Sequence, residues 1–333
     1  MKRKILVVCP LPGSSENLLK EDFELSLLEQ KKLSRDELIE AAQGQDAIVS
    51  ILLNKIDEEF FKACPTIKLV ANVAVGYDNI DMSAAKKRGI LVCNTPHVLT
   101  NSTADLAFAL MLCSARRLME AERYLKEGKW QSFALDLLLG SDVHHKTLGI
   151  IGMGRIGQAL SRRAQGFDMK VVYTNRQRLA LDIEKELKVC YLPLNDLLSK
   201  ADFVSLNCPF NENTRHLMGK EQFQLMKKSA FLINTARGAI VDERALIEAL
   251  KSGEIKGAGL DVFENEPQVP DELKELPNVV VLPHIGSASI ETRTAMGELA
   301  VNAVISAFNC ELPPNAVNKE SWPNFLKRAA LEI

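Results

Sequence analysis

The stretch Thr147-Leu-Gly-Ile-Ile-Gly152-Met-Gly154-Arg155-Ile156-Gly157 decides the fold. It sets a G-x-G-x-x-G turn directly after an apolar run that reads as a strand. Directly behind it, Ile156, Ala159, Leu160, Ala164 and Phe167 recur at helical spacing and predict one buried helix face. Each glycine then has a mechanical reason to be there, with a tight turn at Gly152, close approach of backbone to a pyrophosphate at Gly154, and helix–strand packing at Gly157. The unpaired N–H groups and dipole of the helix start, around Arg155 and Ile156, favour an anion. The flanking strand and helix lift the motif above a bare glycine-rich turn, and a dinucleotide is the expected ligand.

On either side of this motif the chain alternates short β-branched or apolar runs with amphipathic stretches, the pattern of parallel sheets with helical crossovers. The second half predicts strands at Leu148–Gly152, Lys170–Thr174, Phe203–Asn207, Phe231–Thr235, Ala258–Val262 and Val279–Leu282. Near-continuous apolar runs such as Ala230-Phe-Leu-Ile-Asn imply strands covered on both faces. The first third repeats the pattern, with strands at Ile5–Pro10, Ala47–Leu52, Leu69–Val75 and Ile90–Asn94. Helices are expected near Arg35–Gln43, Glu58–Cys64 and Asp81–Lys87. Between the two series, Thr103–Lys129 reads as one long linking helix, and about Glu291 to Asn309 as a helix crossing back. The fold class is α/β, with two domains of parallel sheet: residues 1–100 with 287–333 form one, discontinuous in sequence, and residues 101–286 form the other.

The bulk composition agrees with two ordinary domains. A chain of 333 residues exceeds one hydrophobic core, and 47% apolar, 25% charged and 6% aromatic residues describe a globular protein. A net charge of −2 supplies no long-range attraction to nucleic acid or anionic lipid, so neither is an expected partner. Seven scattered cysteines with no C-x-x-C pair argue against a disulfide framework or a metal cluster, and no metal is expected. The N-terminus has no room for a signal h-region and no apolar stretch is long enough for a membrane span, so a cytoplasmic protein is expected.

Choice of dinucleotide falls to the end of the next strand, Lys170-Val-Val-Tyr-Thr-Asn175-Arg176-Gln-Arg178. A carboxylate there would accept from the ribose hydroxyls and repel a 2′-phosphate. Instead Asn175 is neutral and Arg176 and Arg178 are placed to clamp a phosphate, which favours NADPH, with NADH the weaker alternative.

Three candidate catalytic residues follow later strands, where open α/β sheets place their ligands. Arg237, after Phe231-Leu-Ile-Asn-Thr-Ala, offers a planar guanidinium to grip a carboxylate and polarise a keto oxygen. His284, in Pro283-His-Ile-Gly-Ser, is the one histidine of five at a strand end before a Gly-Ser turn and is the candidate proton donor. His97 and His216 have no comparable setting. A carboxylate must orient the imidazole, and spacing alone leaves Glu264 and Glu266 both open.

Five motifs in order, Val75-Gly-Tyr-Asp-Asn-Ile-Asp81, Gly152-Met-Gly-Arg-Ile-Gly157, Asn234-Thr-Ala-Arg-Gly-Ala-Ile-Val-Asp242, Gly259-Leu-Asp-Val-Phe-Glu-Asn-Glu-Pro267 and Pro283-His-Ile-Gly-Ser287, resemble the D-isomer-specific 2-hydroxyacid dehydrogenase family, and most closely its glyoxylate/hydroxypyruvate reductase branch. The resemblance implies two Rossmann-like domains, flavodoxin-like for substrate and NAD(P)-binding for cofactor, with a cleft between them. It implies reduction of a small 2-keto acid to the D-2-hydroxy acid, and it selects Glu266 as the partner of His284. It further implies that Val75 and Gly76 hold the substrate carboxylate through backbone N–H groups, and that Ser287 adds a polar contact. Asp261 would face the nicotinamide carboxamide. Thr103, Cys208, Pro209, Thr214, Thr235, Ala236 and Gly286 would line the cofactor. Family members dimerise through the cofactor domain by an arm around the linking helix, which makes Trp130 and Phe133 the residues of interest there and a homodimer the expected state.

Rival readings stay within reach of the same residues. A regulatory domain of the phosphoglycerate dehydrogenase kind has no room here, and formate dehydrogenase uses Gln–His in place of Glu–His. D-lactate and sugar-acid reductases, 2-ketogluconate among their substrates, remain open. A dinucleotide-sensing corepressor is the alternative outside enzymes, and turnover of any 2-keto acid separates it from the rest.

Overall fold

The computed structural model describes residues 2–29 and 33–330. The chain divides into two compact units, Met1–Leu99 with Ser287–Ile333, and Thr100–Gly286. The first carries β1 (Arg3–Val7), β2 (Phe23–Leu27), α1 (Arg35–Ala42), β3 (Ala47–Ser50), α2 (Glu58–Ala63), β4 (Leu69–Asn72), α3 (Met82–Lys87) and β5 (Leu91–Cys93). The second carries α4 (Thr100–Ala115), α5 (Leu118–Lys126), β6 (Thr147–Ile151), α6 (Arg155–Gln165), β7 (Lys170–Thr174), α7 (Leu181–Leu187), β8 (Val189–Tyr191), α8 (Leu194–Lys200), β9 (Phe203–Leu206), α9 (Lys220–Leu225), β10 (Phe231–Asn234), α10 (Glu243–Ser252), β11 (Gly257–Leu260), α11 (Asp271–Glu275) and β12 (Val279–Val281). The chain returns to the first unit as α12 (Ile290–Phe308) and α13 (Trp322–Ala329). No helix among the described residues is long and apolar enough to cross a membrane.

Both sheets are parallel throughout. The second unit orders its strands β12-β11-β10-β9-β6-β7-β8, so the sequence runs away from β6 in both directions and its carboxyl end is the switch point where such sheets bind ligands. The first unit orders β2-β1-β3-β4-β5, with its own switch at β1. Alternation with period two explains why each sheet has a core on both faces. Phe231 and Ile233 enter one cluster with α4 and α6, while Leu232 between them enters the other with α8, α9 and α10.

Three departures from expectation have physical causes. The linking segment is two helices, because Arg117 takes a left-handed φ of 55° between α4 and α5. The Arg117 guanidinium grips Glu120 at 2.7 and 2.8 Å, and the N–H of Ser141 captures the carbonyl of Ala115 at 2.7 Å, which ends α4. Phe167 lies past the end of α6 and is 37% exposed, its ring against Phe108 at 4.7 Å, so the buried face is Gly157, Ala159, Leu160, Ser161 and Ala164. The run after Asn72 leaves the sheet, which puts Val75 and Gly76 in a loop beyond β4.

Candidate active site

The turn after β6 shows why each glycine is present. Gly152 has φ of 100°, and a Cβ there would lie 2.4 Å from the backbone nitrogen of Cys208. A Cβ on Gly157 would lie 2.4 Å from the carbonyl oxygen of Gly152. A Cβ on Gly154 would meet nothing within 4 Å: the space in front of this residue is open, as a pyrophosphate needs. The first turn of α6, from Arg155 and Ile156, has no side-chain cap, so its N–H groups are left for an anion. Asn207 Oδ1, at the end of β9, and Thr235 Oγ1, at the end of β10, are buried and make no hydrogen bond among the described residues. Orphaned polar atoms beside an open, donor-rich turn fit a dinucleotide. Sequence reasoning misses Asn207; its sign there is an amide residue directly after the buried strand Phe203–Leu206.

Around the turn, Asn175 Oδ1 accepts from Met153 N–H at 2.7 Å, bracing the glycine loop from the end of β7. Arg176 is exposed and makes no hydrogen bond or ion pair with a described residue. Arg178 is engaged: its Nε and Nη2 donate to the two oxygens of Glu184 at 2.7 and 2.8 Å, and its guanidinium lies 5.5 Å from the Tyr191 ring centre. Tyr173, fully buried, donates its hydroxyl to Glu184 at 2.6 Å, and burial with that neighbouring carboxylate pushes the phenol up to about 12. Cys208 is half-buried and burial pushes its thiol up to about 11. The Thr214 hydroxyl is used locally, donating to Pro209 O at 2.9 Å, and closes the loop from Pro209.

The candidate catalytic residues sit on loops that later strands hold. Glu266 and His284 are brought together, with His284 Nδ1 and Glu266 Oε2 2.7 Å apart. Glu266 Oε1 also accepts from its own loop, at Phe263 N–H, 3.0 Å. His284 takes a left-handed φ of 53°, and its N–H donates to Asp261 O at 2.9 Å. Asp261, 1% exposed, accepts from the N–H groups of Ile285 and Gly286 at 2.7 Å each, so its carboxylate fixes the turn that presents the imidazole. Burial raises its carboxyl above the usual range, against those two hydrogen bonds. Gly286 and Thr103 lie side by side: a Cβ on the glycine would be 3.5 Å from Thr103 Cγ2.

Arg237 opens the turn after β10. Asn234, 1% exposed, ties that turn, accepting from Ala236 N–H at 3.0 Å and donating to Arg237 O at 2.9 Å. Gly238 then lets the turn press on the Glu266 loop, since a Cβ there would lie 1.8 Å from the Phe263 carbonyl carbon. Asn234 and Gly238 stand in the quoted motif, but only the packed loops show what they do. Glu264, the alternative partner left open by spacing, pairs with His216 Nε2 at 2.8 Å, so His216 also has a carboxylate partner. Glu243 accepts from Glu264 N–H at 2.7 Å; burial, then the charges of Glu264 and Glu266, raise its carboxyl.

In the first unit, the carbonyls of Val75 and Gly76 are held by Asn94 Nδ2 at 2.8 Å and Asn72 Nδ2 at 3.0 Å. Their N–H groups donate to no described residue. Ser287 belongs to this unit, its carbonyl accepting from Ser289 N–H at 2.9 Å.

A glycine turn at the switch point of a parallel sheet, with a histidine–carboxylate pair on neighbouring loops, defines a nicotinamide-dependent oxidoreductase. A model described as the NAD binding domain of D-isomer specific 2-hydroxyacid dehydrogenases matches residues 108–286, more than half of the chain. The chain is 50% identical over 323 residues to a glyoxylate reductase of Korarchaeum cryptofilum, covering 96% of this chain and 97% of that one. Among solved structures, the TT0316 protein of Thermus thermophilus superposes with a TM-score of 0.89 at 42% identity, over 94% of this chain and 99% of the other. An NADPH-dependent glyoxylate/hydroxypyruvate reductase of Sinorhizobium meliloti, in complex with NADP and malonate, superposes with a TM-score of 0.84 at 34% identity, over 96% and 98%. The chain belongs to the D-isomer specific 2-hydroxyacid dehydrogenase family, in its glyoxylate reductase branch, and is an NAD(P)-dependent oxidoreductase.

Proposed function

We propose that this chain reduces glyoxylate and hydroxypyruvate to glycolate and D-glycerate, with NADPH preferred over NADH. The observation that carries the chemistry is the 2.7 Å contact between His284 Nδ1 and Glu266. A carboxylate at Nδ1 orients the imidazole and stabilises its protonated form, leaving Nε2 to hold the proton that the keto oxygen receives. Arg237 grips the substrate carboxylate and the carbonyl oxygen, and its charge stabilises the negative charge that develops there. In the first unit, the N–H groups of Val75 and Gly76 and the side chain of Ser287 are the groups assigned to the substrate in this reading. When bound, the nicotinamide supplies a hydride to the keto carbon. Asn207, Thr235 and the α6 N-terminus are the groups that would hold the dinucleotide, the helix N-terminus taking its pyrophosphate.

The NADPH preference rests on neutral Asn175, where a carboxylate would repel a 2′-phosphate, directly after β7, and on the exposed Arg176. Relatives named glyoxylate reductase support the substrate class. The test follows nicotinamide absorbance with glyoxylate, hydroxypyruvate, pyruvate and 2-ketogluconate, each with NADPH and NADH. Fast turnover of the first two with NADPH is expected, and preference for another acid moves the substrate assignment. His284→Ala should lower kcat about 10²- to 10⁴-fold with NADPH affinity nearly intact. An unchanged kcat removes His284 from the mechanism.

A further inference from the structure

We propose that Arg178, Glu184 and Tyr173 form a fixed frame for the loop at the adenosine end of the cofactor site, so that reading of a 2′-phosphate falls to Arg176 alone. Glu184, by neutralising Arg178, limits how strongly that phosphate is held. The inference rests on the reading that the loop after β7 meets the adenosine ribose.

The loop is pinned at both ends. Asn175 accepts from the glycine turn at Met153, and Leu179 N–H donates to the Tyr173 hydroxyl at 2.9 Å. Between these points the two arginines differ in what they have left to give. A phosphate is best taken by the guanidinium fork, two parallel N–H donors along one edge. Arg178 has already committed that edge, Nε and Nη2, to Glu184, and its face to the Tyr191 ring. Glu184 is 7% exposed and also takes the Tyr173 hydroxyl, so withdrawing Arg178 would strand a buried carboxylate, which is costly. Arg176 has no such competitor among the described residues. The pair Arg178–Glu184 therefore adds no net charge to the site, and the free positive charge nearest the loop tip is that of Arg176.

Calorimetric titration of the whole enzyme with 2′,5′-ADP and with 5′-AMP separates reading from framing, because the two ligands differ in the 2′-phosphate. Arg176→Ala should weaken 2′,5′-ADP about tenfold or more and leave 5′-AMP within about twofold. Arg178→Ala is made together with Glu184→Gln, which avoids an unpaired buried carboxylate. This double variant should weaken the two ligands by the same factor. Glu184→Gln alone keeps an acceptor for Tyr173 and frees the charge of Arg178, so it should tighten 2′,5′-ADP relative to 5′-AMP by about threefold, an advantage that shrinks with added salt. Loss of 2′,5′-ADP alone in the double variant, as large as in Arg176→Ala, overturns the proposal by making Arg178 a reader. Equal affinity of the wild type for both ligands would overturn the NADPH reading and leave the frame standing. The frame falls if the double variant leaves 5′-AMP binding untouched.

Discussion

Glu184 lies on α7 with three donors on its carboxylate, two from Arg178 and one from Tyr173. The Arg178 hydrogen bonds first, then that of Tyr173, hold its carboxyl at about 2, well below the value of an unfolded glutamate, about 4.3. A folded-state value below the unfolded one stabilises the fold at any pH above the unfolded value, and that contribution is lost as pH falls from there toward about 2. Wild type should therefore melt above Glu184→Gln at neutral pH, and the gap should narrow as pH is lowered from about 5 toward 3. Thermal unfolding across that range checks it; a gap that widens with acid would mean that another group carries the dependence. None of this is legible in the sequence, where Arg178 reads as a phosphate clamp. Pairing across a loop and a helix depends on how the backbone turns between them.

Loops in the second unit are positioned by close backbone approach as much as by side chains. The turn after β10 meets the loop after β11 through Gly238, whose absent side chain is what lets the Arg237 turn touch Phe263. Gly238→Ala forces those loops apart. It should cost about 3 kcal/mol of stability and lower kcat for glyoxylate, with cofactor affinity nearly retained, since the glycine turn after β6 is untouched. Thermal unfolding with steady-state kinetics tests this, and wild-type kcat would show that the approach is incidental. The same elements show what sequence reveals. Buried strands of β-branched residues and the G-x-G-x-x-G turn are periodic or strictly spaced, so their places in the sheet are readable. Two of the four edge strands escape: β8, Val-Cys-Tyr, is a single three-residue run, and β2, Phe-Glu-Leu-Ser-Leu, carries its period-two signal in one short run. The break between α4 and α5 has no glycine or proline to announce it, because it is made by long-range hydrogen bonds, Ser141 N–H to Ala115 O and Arg117 Nη1 to Leu139 O. At the site, residue types and strand ends are readable, whereas the division of Glu264 to His216 and Glu266 to His284 depends on loop paths that spacing does not specify.

For the whole molecule, the distribution of apolar surface poses the remaining question. Seven of the fifteen exposed large apolar side chains among the described residues fall between Leu118 and Leu139: Leu118, Met119, Leu125, Trp130, Phe133, Leu135 and Leu139. Phe133 and Leu135 are 78% and 86% exposed. Exposed apolar residues scattered singly need no explanation, but a run of this density between Leu118 and Leu139 is what a surface awaiting a partner would present. A second copy of the chain is the simplest such partner, because a two-fold interface lets each arm bury its apolar face against the same surface of the other copy. We expect a homodimer in solution, measured by light scattering on a sizing column. The double substitution Phe133→Ser and Leu135→Ser should shift it toward monomer at low micromolar concentration while each unit keeps its fold by circular dichroism. If the wild type is monomeric at all concentrations, or if the double variant dimerises as tightly as the wild type, the arm is not the interface. If Trp130 or Phe133 also reaches a neighbouring substrate site, the KM for glyoxylate should rise as the enzyme is diluted through its dissociation range, with the Kd for NADPH constant. A KM independent of enzyme concentration would confine the arm to assembly.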